Sequence, residues 1–193
     1  MIQYRKWNED DIESIIKLTN MYISDGFYTD EYLRDMLSDN DRIIYVCQSE
    51  DGLFGGYYYG MIVNLDDAVR ILHVDTYALK VIEDQIHQNE DTLVGIVKTT
   101  VLAPDFRGHT SSNVLMDMLM NWFHEKKVYS VLCEALIKPD QTINLKTQME
   151  TFGFTSSVQI NKPWQNIRSY CPYCNQMYCK CDAVIYLKNL RIT

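Results

Sequence analysis

The sequence predicts a single α/β domain, and three observations carry that prediction. Residues 93–101 form an apolar run that ends in a turn and passes straight into an amphipathic helix. Residues 42–48 and 53–63 read as two strands joined through Asp51-Gly52. A late helical stretch, 144–151, is followed by two further strand-like runs. With 193 residues and 47% hydrophobic content the chain can bury a sizeable core. No internal repeat or low-complexity linker marks a boundary before residue 160.

Each element has a local reason. Asn8 is placed to cap the first helix, with Glu9, Asp10 and Asp11 in its first turn, where acidic groups meet the positive end of the helix dipole. Residues 42–48 and 53–63 form a hairpin closed around Asp51-Gly52. Within the long segment 64–91, residues 69–74 read as an extra strand and 78–88 as a short helix. Residues 112–126 repeat apolar side chains at helical spacing through Val114, Leu115, Met118, Leu119, Trp122 and Phe123. Residues 129–136 read as a buried strand, 156–160 as another, and 183–187 as the last.

The junction from Thr100 to Leu115 is the most informative stretch. A strand-to-helix turn leaves backbone N–H groups unpaired at the helix start, and the helix dipole points at the same spot. Arg107 and Gly108 stand in the turn, and Thr110, Ser111 and Ser112 open the helix, so the junction reads as a site for a phosphate or pyrophosphate.

The run Leu102-Ala103-Pro104-Asp105-Phe106-Arg107-Gly108-His109-Thr110-Ser111-Ser112 resembles the acetyl-coenzyme A loop of the GNAT superfamily of N-acetyltransferases. That family's pattern is Arg or Gln, two residues, Gly, one residue, then Gly or Ala. Here Arg107 fits, while Thr110 and Ser112 occupy the two later small positions. The opening strand and helix, the hairpin, and Gln148-Met149-Glu150-Thr151-Phe152-Gly153-Phe154 follow the family's order, so the resemblance spans nearly the whole chain. It implies a mixed, mostly antiparallel twisted sheet flanked by helices, and acetyl transfer from acetyl-coenzyme A to a primary amine within a ternary complex. It also implies that Leu102 and Ala103 pair with pantetheine through their backbone, and that Arg107, Gly108, His109, Thr110, Ser111 and Ser112 surround the phosphates. Asn144 would hydrogen-bond the pantetheine arm. Many family members carry a Tyr acid where this chain has Met149. The alternative is a degenerate member that binds coenzyme A or a protein without turnover.

A general base is sought among carboxylates in apolar surroundings, because burial raises their pKa toward the useful range. Glu134, inside Val131-Leu132-Cys133-Glu134-Ala135, satisfies this; a structural or acceptor-binding carboxylate is the equal alternative. His73, in the expected strand 69–74, reads as structural.

Four of the six cysteines fall between positions 171 and 181. Cys171, Cys174, Cys179 and Cys181 offer four thiolates, which satisfy tetrahedral zinc and leave no position for water. A structural zinc site in a loop at about 164–182 is expected, and iron remains open. Cys171-Pro172-Tyr173-Cys174 also spells the glutaredoxin dithiol, although that chemistry places the pair at the head of a helix early in a different fold. Two structural disulfides are the third alternative, without a secretory signal to support them. By the resemblance, this loop lines the acceptor pocket, with Trp164, Tyr170, Tyr173 and Tyr178 as recognition surfaces. Cys47 and Cys133 read as core.

A net charge of −8 disfavours sequence-independent nucleic-acid binding; it suits an amine-bearing acceptor, small molecule or protein, or simply keeps the chain in solution. No apolar run approaches a membrane span, and a cytoplasmic location is expected.

Overall fold

In the computed structural model, residues 1–86 and 93–190 are described. In chain order the elements are β1 (Ile2–Lys6), α1 (Ile12–Tyr22), α2 (Asp30–Met36), β2 (Arg42–Ser49), β3 (Phe54–Asn64), α3 (Leu65–Ile71), α4 (Thr76–Glu83), β4 (Leu93–Leu102), α5 (His109–Glu125), β5 (Ser130–Ile137), α6 (Lys146–Thr151), β6 (Thr155–Ile160), β7 (Tyr170–Cys171), β8 (Gln176–Met177) and β9 (Asp182–Asn189). The fold is α/β, with a seven-stranded, mostly antiparallel sheet in the order β1-β2-β3-β4-β5-β9-β6 and a separate β7-β8 ribbon. By contacts the chain divides into two compact units, residues 1–61 with 97–122 and residues 62–96 with 123–193.

In the first unit, Asn8 does cap the first helical turn. Its side chain accepts from the Asp10 N–H, and Asp11 returns the bond to the Asn8 N–H at 2.8 Å. Arg5 grips both oxygens of the buried Asp11 at 2.7 and 2.8 Å, which ties β1 to the start of α1. The hairpin forms as expected, with Gly52 at φ +85° and its N–H bonded to the Ser49 carbonyl.

Gly55 and Gly56 have a different purpose. A Cβ on Gly55 would lie 2.2 Å from the Phe106 ring, and one on Gly56 would lie 2.3 Å from the Val101 carbonyl oxygen. The pair thus lets the end of β4 and the turn after it sit directly on β3. Gly56 also holds φ +149°, beside an irregularity in the β2–β3 register. Gly56→Ala is expected to lose about 3 kcal/mol of stability, measured by urea unfolding; a loss below ~1 kcal/mol would show that β4 can retreat without penalty.

Helix α2 is not apparent from hydrophobic spacing. It has seven residues, is capped by Thr29 accepting from the Tyr32 N–H, and buries Leu33 and Met36.

In the second unit the extra strand expected at 69–74 is absent; those residues belong to α3 and the turn after it. Asn64 caps α3 by accepting from the Asp67 N–H, with Asp66 and Asp67 in its first turn. The cap decides the outcome: once helix starts at Leu65, Ala68 and Leu72 fall on one buried face. His73 follows at φ +51° and ends the helix. The helix expected at 78–88 is α4, begun by Asp75 accepting from the Ala78 N–H and ending earlier, at Glu83; residues 87 and 88 lie outside the described residues. Strand β9 pairs with β5 over eight residues and with β6 on its other side. Helix α6 ends at Gly153, φ +75°, with the Phe154 N–H returning to the Met149 carbonyl.

Candidate functional site

The first unit carries the anion loop. Strand β4 ends at Leu102, and Pro104–Phe106 make a 3-10 turn. Arg107 is extended, Gly108 adopts φ +152°, and α5 begins at His109, three residues before the helix expected from apolar spacing. A φ of +152° is open to glycine and strained for any side chain, so Gly108 is what allows the chain to turn into the helix at this point. The first N–H groups of a 17-residue helix therefore follow the Arg107-Gly108 pair directly.

Arg107 is held in place by its neighbours. Its Nε donates to the Leu102 carbonyl at 3.0 Å, and its guanidinium lies 4.9 Å from the centre of the Tyr22 ring. Ser111 is buried, and its hydroxyl is 3.1 Å from the Tyr4 hydroxyl, so it can offer a ligand its backbone N–H and not its side chain. Thr110 is exposed. The side chain of His109 lies outside what is described. Both backbone groups of Ala103 are engaged: its N–H bonds Gly55 and its carbonyl accepts from Phe106. A pantetheine pairing through Ala103 must share or displace those bonds.

The same unit holds a hydroxyl network that residue spacing did not reveal. Tyr28 meets Thr99 of β4 at 2.5 Å, Thr19 meets Tyr57 at 2.6 Å, and Tyr32 meets Tyr59 at 3.1 Å. Tyr28 and Tyr32 are stacked, and Arg42 lies over Tyr32. Burial raises the hydroxyls of Tyr28, Tyr57 and Tyr59 above the ordinary phenol range, so they remain protonated. The signal in the sequence was Tyr57 and Tyr59 on one face of β3, but their partners come from elements far along the chain.

The second unit carries Glu134 and the cysteines. Glu134 lies on β5 opposite Ile185, with 10% of its side chain exposed, and its Oε2 is 3.6 Å from His73 Nδ1. Met149 is fully buried in α6. Asn144 is exposed beyond β5 and donates to the Tyr173 hydroxyl at 3.0 Å, which joins it to the cysteine loop. Lys138 sits 5.0 Å from the Tyr173 ring centre. Tyr170, Tyr173 and Tyr178 are exposed, whereas Trp164 packs against the cysteines.

The four loop cysteines converge. Cys171 and Cys174 come from the β7–β8 ribbon and the turn within it, Cys179 and Cys181 from the bend that follows, and their sulfurs all lie within 4.8 Å of one another. Four thiolates around one ion at ~2.3 Å require sulfur separations of about 3.8 Å. Cys174 and Cys181 stand at 3.2 Å, and Cys171 and Cys179 at 3.4 Å, so the set fits a single tetrahedral ion with a small expansion. The Lys180 N–H points at the Cys174 sulfur and the Cys181 N–H at the Cys179 sulfur, both at 3.4 Å, as a buried thiolate cluster needs. Burial works against the Cys174 thiolate, yet hydrogen bonds from Cys181 and the Lys180 N–H bring its thiol below the ordinary range. Cys171 sits in a two-residue strand and not at a helix head, so the glutaredoxin arrangement is not formed, and all six cysteines are free thiols.

Cys47 and Cys133 are buried as expected, and burial pushes each thiol up to about 12. At pH 8 their thiolate fraction is only about 10⁻⁴, so a thiol-modifying reagent should leave both untouched in the folded protein. Modification of either before unfolding would contradict that placement.

No protein-family model and no curated protein matches this chain. Solved structures do. NAA60 of Arabidopsis thaliana in complex with acetyl-CoA superposes with a TM-score of 0.72 at 12% identity, over 98% of this chain and 99% of that one. The ribosomal-protein-S18-alanine N-acetyltransferase of Escherichia coli gives 0.63 at 9% identity, over 100% and 96%. Spermidine N-acetyltransferase of Vibrio cholerae gives 0.61 at 10% identity, over 97% and 93%. The fold is that of the GNAT N-acetyltransferases.

Proposed function

We propose that residues 1–193 act as one acetyl-coenzyme A-dependent N-acetyltransferase that passes the acetyl group directly to an amine. The observation that carries this reading is the Arg107-Gly108 turn at φ +152°, opening onto the first N–H groups of α5. The likeness in fold to an acetyl-CoA complex, along the full chain, supports it. Arg107, Gly108, the N–H groups of His109, Thr110 and Ser111, and the Ser112 hydroxyl take the pyrophosphate, and the backbone near Leu102 and Ala103 takes pantetheine. Asn144 is proposed to reach the same arm. Glu134 is the proposed base: it removes a proton from the acceptor ammonium, and the neutral nitrogen attacks the thioester carbonyl. Holding the two reactants together supplies much of the rate, and a positioned base typically adds ~10²–10⁴-fold. The structural neighbours include enzymes named for spermidine and for a protein alanine, which supports an amine as the acceptor class.

Zinc is the proposed ion of Cys171, Cys174, Cys179 and Cys181. With four thiolates it is structural, and it braces the loop that carries Tyr173. A reducing cytoplasm would keep these thiols available. No described helix is long and apolar enough to cross a membrane.

One observation favours a second reading, in which coenzyme A or a protein is bound without turnover: Met149 is a fully buried thioether where the resemblance expects a Tyr acid. Calorimetric titration with acetyl-coenzyme A is expected to give one site per chain, and an amine screen following free thiol is expected to find turnover. Binding without thiol release from any amine favours the second reading. No binding at millimolar ligand overturns both coenzyme A readings.

A further inference from the structure

His73 has three features that its place after a short helix does not require. Its backbone is held at φ +51°, a left-handed conformation uncommon for non-glycine residues. Its Nδ1 is buried without a hydrogen-bond partner, and it points at Glu134 Oε2 from 3.6 Å. Its ring meets the Trp164 indole edge-on, centres 6.4 Å apart, and Trp164 in turn packs on the cysteine cluster. One side of the ring is therefore walled, one nitrogen faces the carboxylate, and 30% of the side chain remains exposed as a route to water. Among the described contacts, Glu134 is the charged group that faces His73. Arg70 of α3 is paired with Asp67, and Asp75 caps α4.

We propose that His73 is the positioning residue for Glu134: it fixes the carboxylate and takes over the proton that Glu134 removes from the acceptor. The inference rests on the transferase reading above. The acceptor ammonium gives one proton to the Glu134 carboxylate. The resulting carboxylic acid passes it to His73 Nδ1, which restores the carboxylate and forms an imidazolium; the imidazolium gives up its Nε2 proton to water, and the ring regains its starting tautomer by exchange with solvent. The amine lone pair forms the C–N bond, the C–S bond breaks, and the sulfur keeps that electron pair and receives the second nitrogen proton as it leaves as a thiol. One ammonium and one thioester become one amide, one thiol and one proton in solution. The 3.6 Å gap exceeds a hydrogen bond by about half an ångström, a separation that commonly tightens when substrate binds.

The test begins without substrate. The sequence has four histidines, and the His73 ring signal is identified by its loss in His73→Asn, a side chain that tolerates the left-handed backbone. Glu134→Gln removes the carboxylate that faces Nδ1 at 3.6 Å, so the His73 ring signals should move in an NMR spectrum recorded at one fixed pH. Unchanged His73 ring signals overturn the proposal, whether or not the protein acetylates anything. In the second stage, His73→Asn should reduce kcat at least tenfold, leave the KM for acetyl-coenzyme A within twofold, and move the acidic limb of the kcat/KM profile. Wild-type turnover and pH profile in His73→Asn also overturn it. His73 ring signals that respond to Glu134→Gln in a protein that fails to bind acetyl-coenzyme A overturn the transferase reading instead.

Discussion

Replacing Arg107 by Glu is expected to weaken acetyl-coenzyme A binding by about 100-fold, close to 3 kcal/mol. A charge-assisted hydrogen bond to phosphate contributes ~1.5–3 kcal/mol, and the substitution removes it and sets a carboxylate beside the pyrophosphate. Part of any change could come through the fold, because Arg107 also bonds the Leu102 carbonyl and covers Tyr22. Arg107→Gln separates the two effects. It can keep a donor for the Leu102 carbonyl and brings no negative charge, so it should bind at least tenfold more tightly than the Glu variant. Titration calorimetry at a temperature where both variants are folded reads the result. Equal affinity of wild type and Arg107→Glu would show that the Arg107-Gly108 turn holds no phosphate.

The second large effect is expected at the cysteines. Cys171→Ser combined with Cys174→Ser should release one metal ion per chain and lower the melting temperature by about 10 °C. Two hydroxyls cannot replace two thiolates around a soft tetrahedral ion, and the β7–β8 ribbon is only two residues wide on each side. Metal analysis and scanning calorimetry on the same samples give the answer. Intact protein that carries neither zinc nor iron would dispose of the metal centre outright. A melting temperature that holds after metal loss would make the ion incidental to the fold. Because Trp164 touches both the cysteines and His73, the double variant should also disturb the His73 ring signal, at a site that carries neither substitution.

What could be read from the sequence was local. Asn8 announced its capping role by the acidic residues after it. Arg107-Gly108 announced a turn because a strand precedes it and a helix follows. Four closely spaced cysteines announced a cluster because so short a loop leaves them few other places to go. Residues 69–74 misled for the same reason: apolar residues close together look like a strand, while the decision lay upstream in the Asn64 cap and the two aspartates behind it. Helix α2 is too short to show a period and depends on Thr29. The His73–Glu134 contact and the Tyr28–Thr99 bond join residues from different elements, and no spacing rule reaches that far. Glu134 itself was legible from its apolar strand, but its partner was visible only in three dimensions.

The placement of β9 between β5 and β6 bears on how quickly the second unit assembles. Among the described residues, strand β6 joins the sheet through β9 alone, and roughly twenty residues must loop out between them before that hairpin closes. Gathering residues 171–181 around the proposed ion would remove about half of that loop from the search. Each halving of a flexible loop recovers about 0.6 kcal/mol of closure entropy, a two- to threefold rate advantage if closure limits folding. Refolding with metal present should therefore outpace refolding in chelator by that modest factor, with the loop acting as a kinetic clasp as well as a brace.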